Sequence, residues 1–173
     1  MEIRRLTPIE LDRATEIDVS EEGEVNYRVV DGRLEAFSHP HRRPRFSVED
    51  WQPWIVEWRT IVEEDGVAFG AFDGVRLVGI AILRFRLTEE TSELAALYVD
   101  REHRRMGVAG ALVDAVENTA RAAGAHRLDV SATPSDSAVP FYLNRGYAPV
   151  AQPHPELFAS EPDDIHMTKT LDA

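Results

Sequence analysis

The chain has 173 residues, a length that suits one domain able to bury most of the surface its unfolded form exposes. Hydrophobic residues at 43% can build a core, and charged residues at 29% can solvate a surface. The absence of cysteine excludes disulfides, thiolate metal sites and a cysteine nucleophile, and a net charge of −12 argues against general nucleic-acid binding while mildly favouring cationic substrates.

Met1 to Leu6 reads as a first strand. Thr7, Pro8 and Glu10 form a capping box with proline at the first helical position, so a helix is predicted from Pro8 to about Ile17. Glu24 to Phe37 reads as a hairpin, because VNYRVV and RLEAF flank Asp31-Gly32, a favoured two-residue turn. Ser38 to Arg45 is too proline-rich for regular structure. Ser47 and Asp50 open a second helix that reaches about Glu64, with Trp51, Trp54, Ile55, Trp58, Ile61 and Val62 along one face. Strands VAFGAF and RLVGIAILRFRL follow, joined through Asp73-Gly74, and then SELAALYV, which ends at Val99.

After a short charged loop, R-x-x-G-x-A-G (Arg104, Gly107, Ala109, Gly110) opens a helix that buries Val108, Leu112, Ala115 and Val116 and stops near Gly124. HRLDVSA is a strand, a helix follows around Val139 to Arg145, in which Pro140 is acceptable if Ser137 is the cap, and then come strand GYAPV and the last strand, DIHMTKTL. Hairpins interrupted by one strand–helix–strand crossover imply a mixed α/β or α+β fold with a mostly antiparallel central sheet flanked by helices. No repeat or interdomain linker breaks the chain, so residues 1–173 are expected to form one domain.

The passage from Leu97 to Val113 carries the most chemistry. A strand feeding a helix through glycine points unpartnered N–H groups outward, where the helix dipole favours a bound anion by about 0.3–1 kcal/mol. Glycine lets a phosphate approach those amides without meeting a Cβ. No Lys-Ser/Thr pair follows the second glycine, so an NTP-hydrolysing P-loop is disfavoured. The spacing is not G-x-G-x-x-G either, which weakens a dinucleotide reading.

R-x-x-G-x-A, entered from L-Y-V, resembles the acyl-CoA pyrophosphate loop of the GNAT superfamily of N-acyltransferases. SDSAVPFYLNRGY (Ser135 to Tyr147) is similar to that family's segment N-x-x-A-x-x-F-Y-x-x-x-G-F, with Ala138, Phe141, Tyr142, Gly146 and Tyr147 in place and Ser135 where Asn is usual. The order of elements resembles the family's from Met1 to about Leu171, with the hairpin at Glu24 to Phe37 as an insertion near the acceptor side. The resemblance implies a GNAT-like fold and acetyl-CoA as acyl donor. It implies that Leu97, Tyr98 and Val99 pair with the pantetheine, and that Arg104, Arg105, Met106, Gly107, Val108, Ala109 and Gly110 hold the pyrophosphate. Ser135 is expected to bond either the cofactor or the cap of the following helix.

The reaction sets further requirements. An alkyl ammonium has a pKa of about 10.4, so near neutral pH the reactive amine is scarce, a handicap of roughly 4 kcal/mol. A carboxylate base acting through water reduces it. Glu93 stands where similar enzymes carry a catalytic glutamate; strand alternation puts it on the face of Ala95, Leu97 and Val99 unless a bulge intervenes. The resemblance casts Tyr142 as the general acid that protonates the leaving thiolate, and amides near Leu97 to Val99 as stabilisers of the oxyanion. A non-catalytic acyl-CoA-binding sensor on the same fold is the alternative; it would bind the donor equally and be indifferent to Tyr142→Phe.

The remaining polar residues carry weaker signals. His39, His41, His103 and His154 show no metal-ligand spacing and no facing carboxylate set, so no metal is expected. His126 and His166 read as packing or surface residues. Arg42, Arg43 and Arg45 read as a solvated loop, with the 3′-phosphate or an acidic acceptor as the functional reading. Trp51 or Trp54 could wall an acceptor cleft, and Glu16, Asp18, Glu21, Glu22 and Glu24 could attract a cationic amine. The expected partner is a small-molecule or peptide amine, with a homodimer left open. No apolar run approaches the ~20 residues of a membrane span, and MEIRRLTPIE lacks a signal-peptide core, so no membrane partner and a cytoplasmic location are expected.

Overall fold

In the computed structural model, which describes residues 1–172, the chain runs through β1 (Glu2–Leu6), a 3-10 helix (Pro8–Glu16), β2 (Glu21–Val30), β3 (Arg33–Arg43) and α1 (Val48–Glu64). It continues through β4 (Val67–Asp73), β5 (Arg76–Arg84), β6 (Thr91–Val99), α2 (Val108–Ala122) and β7 (Arg127–Ala132). α3 (Val139–Asn144), β8 (Ala148–Pro149), α4 (Pro155–Ser160) and β9 (Ile165–Thr170) complete it. Seven strands form one sheet in the order β1-β4-β5-β6-β7-β9-β8, while β2 and β3 pair separately. Only β6 and β7 are parallel, joined by the crossover through α2.

The predicted first helix is a 3-10 helix. Leu11, Ala14 and Ile17 are all fully buried, and their three-residue spacing matches the three-residue turn of a 3-10 helix rather than the 3.6 of an α-helix. Its capping box forms as read, with the Thr7 N–H donating to Glu10 Oε2 at 2.9 Å. Ser38 to Arg45 was expected to be irregular, yet β3 extends to Arg43. The register slips between Gly23 and Val25, so Glu24 faces both His39 and Pro40. A bulge leaves one residue outside the ladder, where proline's missing N–H costs nothing.

Two apolar layers clothe the sheet. On one face α2 and α3 pack Val108, Leu112, Val116 and Tyr142 against Leu83, Leu94, Leu128 and Met167. On the other, the 3-10 helix and α1 pack Leu11, Trp51, Ile55 and Trp58 against Leu77, Ile80, Ile82 and Ala96. α4 has no counterpart in the sequence reading. His154 caps it by accepting the Glu156 N–H at 3.3 Å, and Pro155 opens it, the same proline-at-the-start signal that marked the first helix.

Candidate active site

The sheet is open where its two parallel strands meet. β6 pairs with β7 only from Thr91 to Leu94, while its other edge pairs with β5 as far as Val99. Ala95 is a bulge: Ile82 pairs with Ala96 and Leu83 with Leu94. Beyond it β6 and β7 part, which frees backbone groups of Leu97 to Val99 that a continuous ladder would consume. The resulting cleft of about 810 Å³ runs from Glu161 and Asp164 past Tyr98 and Tyr142 to the start of α2.

At the α2 end, Arg105 and Gly107 adopt left-handed φ of 62° and 82°. Gly107 caps α2 with no side-chain acceptor, and the amides of Val108, Ala109 and Gly110 find no partner among the described residues. Nothing lies within 4 Å of the place a Gly107 Cβ would occupy, so the position needs glycine for its backbone conformation and leaves the space above the helix clear. Free amides, a helix dipole and Arg104 and Arg105 on the cleft wall fit the linked phosphates of coenzyme A.

A buried carboxylate holds this loop. Asp100 is fully buried, accepts the Asp18 N–H at 2.9 Å, and meets Arg76 at 2.7 Å and His103 at 3.1 Å. Burial pushes its carboxyl up, but the Asp18 amide, His103 and Arg76 outweigh that and hold it below the ordinary value. His103 also reaches Asp73 at 3.2 Å.

Leu97, Tyr98, Val99, Arg104, Arg105, Gly107, Val108, Ala109, Gly110, Ser135 and Tyr142 all line the cleft. Met106 does not; its side chain is exposed in the turn. The Ser135 hydroxyl accepts the Ala138 N–H at 3.2 Å and so braces the start of α3. Ser137 is not the cap that the sequence suggested: Ala138 holds that position, and the Ser137 hydroxyl donates to Glu21.

Tyr142 is buried, with burial driving its phenol well above the ordinary range. It therefore stays protonated at neutral pH, and its hydroxyl has no hydrogen-bond partner among the described residues. Glu93 occupies a different place from the one strand alternation gave. The bulge at Ala95 turns it away from Leu97 and Val99, which pack towards α2, and onto the face of Ala96 and Tyr98 beneath α1. It sits behind the cleft wall, 8% exposed, with Arg84 Nη1 at 3.4 Å. Burial pushes its carboxyl up to about 7; Arg84 opposes this, and Glu57 and Glu156 add to it.

The early acidic run is divided by the fold. Glu16 is spent on Arg13 and the Leu77 amide, while Glu21 and Glu22 reach the cleft. Glu21 pairs with Arg43 at 3.0 Å and with Arg104 at 4.0 Å, so Arg43 belongs to the cleft and is not a solvated loop residue. His41 does meet carboxylates: its ring, Glu21 and Asp136 bring potential ligand atoms within 4.8 Å of one another. Glu21 is already held there by Arg43 and Ser137, which leaves few free ligands. Trp51 is fully buried and lies edge-on to Tyr98, at 5.4 Å between ring centres, as core rather than cleft wall.

Sequence reasoning missed Glu161 and Asp164, which line the far end of the cleft half-buried. Burial raises both carboxyls; Asp164 adds to the rise at Glu161, while Glu161 and His166 oppose it at Asp164 and Asp163 adds to it there. Their only local signal was a short acidic stretch ahead of a strand.

The chain matches the sequence model described as Acetyltransferase (GNAT) family over residues 27–147. No curated protein is significantly similar in sequence. Among solved structures, a nourseothricin acetyltransferase is similar at a TM-score of 0.74 and 19% identity, covering 99% of this chain and 98% of that one. An aminoglycoside 6′-acetyltransferase type Ii is similar at 0.68 and 18% identity, covering 100% and 99%. PaiA N-acetyltransferase from Thermoplasma acidophilum, solved with coenzyme A, is similar at 0.64 and 18% identity, covering 98% of each chain.

Proposed function

The chain belongs to the acetyltransferase (GNAT) family, and from that premise we propose that it transfers an acetyl group from acetyl-CoA to a primary amine by direct attack on the thioester. The observation that carries the reading is the parting of β6 from β7 beyond Leu94, which leads straight to the unpartnered amides at the start of α2. An extended donor with amides at one end and linked phosphates at the other suits both features.

Acetyl-CoA supplies an acyl group already activated as a thioester, so no covalent enzyme intermediate is required. The α2 amides, Arg104 and Arg105 bind the phosphates, and the free edge of Leu97 to Val99 orients the chain that carries the acyl group. Glu93, through a water, takes the proton that the amine loses as its nitrogen bonds the acyl carbon. The Tyr142 phenol protonates the sulfur as the carbon–sulfur bond breaks. A carboxyl poised near 7 accepts a proton at physiological pH without holding it too tightly.

A cationic small-molecule or peptide amine suits the acidic end of the cleft, where Glu161 and Asp164 stand. Similar structures are named for acetyltransfer to nourseothricin and to aminoglycosides, which gives the first acceptors to try. Thiol release from acetyl-CoA, screened against nourseothricin, aminoglycosides, polyamines and peptide N-termini, tests the reading. Turnover with at least one amine is expected. Absence of turnover with every amine, alongside calorimetry silent towards coenzyme A, would overturn it.

A further inference from the structure

The surroundings of Glu93 are unusual in how they divide one cation between two carboxylates. Arg84 leaves β5 beside Glu93, its register partner on β6. Its fork does not close on that neighbour. Nη1 and Nη2 each stand 3.0 Å from a different Glu156 oxygen, a two-point ion pair, whereas Glu93 receives a single contact at 3.4 Å. Two-point guanidinium–carboxylate pairs are the stronger geometry, so Glu156 takes the better share of the guanidinium's hydrogen bonding although it lies 72 residues away in sequence.

We propose that Glu156, on the short helix α4, is a positioning residue for Glu93: by holding both Arg84 nitrogens it keeps the guanidinium from clamping the Glu93 carboxylate, which stays free to take up a proton. The proposal rests on the reading of Glu93 as the base. Without Glu156, Arg84 has one carboxylate left within reach, and a full ion pair would hold Glu93 ionised and weakly basic. Without Arg84, Glu93 would keep its burial and lose its leading cation.

Every charged group around Glu93 agrees with this division. Among the described residues, Arg84 on β5 is the cation that bears most strongly on it. Glu57 on α1, Glu156 on α4 and Glu161 ahead of β9 are all acidic. Asp129, its register partner on β7, is occupied by the Thr168 hydroxyl at 2.6 Å. His154, at the start of α4, bears on Glu156 and not on Glu93 among the leading influences there, so the choice Arg84 makes weighs most on the state of Glu93.

Carbon-13 NMR of protein labelled at the glutamate carboxyls reads this directly, with the Glu93 signal identified by its loss in Glu93→Gln. The wild-type midpoint is expected near 7. In Glu156→Gln it should fall by roughly 1 pH unit as Arg84 swings to Glu93, and in Arg84→Gln it should rise. Opposite displacements are the signature, because loosened structure alone would move both variants the same way. A Glu156→Gln midpoint that stays at the wild-type value, or rises, overturns the proposal. The measurement needs no acceptor, so it stands apart from the question of whether Glu93 is the base, which Glu93→Gln turnover answers.

Discussion

Glu93 and Tyr98 lie on the same face of β6 although they stand an odd number of positions apart, a spacing that regular alternation sends to opposite faces. The bulge at Ala95 inserts one residue out of register with β5 and reverses the alternation. One irregular residue therefore does two things. It aims Glu93 at the α1 and α4 side, and it ends the β6–β7 ladder so that the cleft can open.

Replacing Glu93 should affect activity and stability in opposite senses. Glu93→Gln is expected to lower turnover by about 10²–10⁴-fold. In the wild type, turnover should fall as pH drops through about 7, because the base must be ionised. The stability sign follows from a folded-state value raised above the unfolded one, from 4.5 to about 7. The favourable contribution is complete below 4.5 and is lost as pH rises through 7. Glu93→Gln escapes that loss, so at pH 8 it should be more stable than wild type by roughly 1–3 kcal/mol in urea melts.

Tyr142→Phe removes a hydroxyl that bonds none of the described residues, so thermal stability should change little. Turnover should fall by about 10²-fold, while calorimetric affinity for coenzyme A stays near wild type. Unchanged turnover would point to another proton donor, whereas a non-catalytic sensor would show turnover in neither protein.

Gly107→Ala forces a side chain into a left-handed backbone at φ 82°. The expected cost is about 1–2 kcal/mol. Affinity for coenzyme A should drop as the start of α2 shifts, and the drop should be larger than for Met106→Ala, whose side chain faces solvent.

Asp100→Ala should be the most damaging of these changes to the fold. It strips the Asp18 and Glu102 amides, Arg76 and His103 of their shared acceptor. Leaving such buried donors without their acceptor typically costs about 1–3 kcal/mol, and the half-exposed Arg76 can turn to solvent. Because the folded carboxyl titrates below its ordinary 3.8, its contribution is present above that value and fades as pH falls through the lowered one. Acid unfolding curves of the variant should lack that component.

The legible parts of the site were the contiguous ones. Arg104 to Gly110 announced a helix start with open amides because glycine, helix dipole and strand end are all local. Ser135 to Tyr147 was readable in the same way, although Ser137 turned out to serve Glu21 instead of the helix cap. Pro40 misled for the opposite reason. Its disruption is absorbed by a bulge that depends on Glu24 in the facing strand.

What residue order alone determined, then, is the alternation of strands and helices, the β6–α2 turn and the tyrosine of α3, since each follows from backbone preferences within a few neighbours. The direction of Glu93, the meeting of Arg84 with Glu156 and the arrival of Glu161 and Asp164 at the cleft were decided only by tertiary structure. These depend on register between strands and on α4 docking far from its sequence neighbours. Charge sharing across such distances is a property of packed space, and no local pattern encodes it.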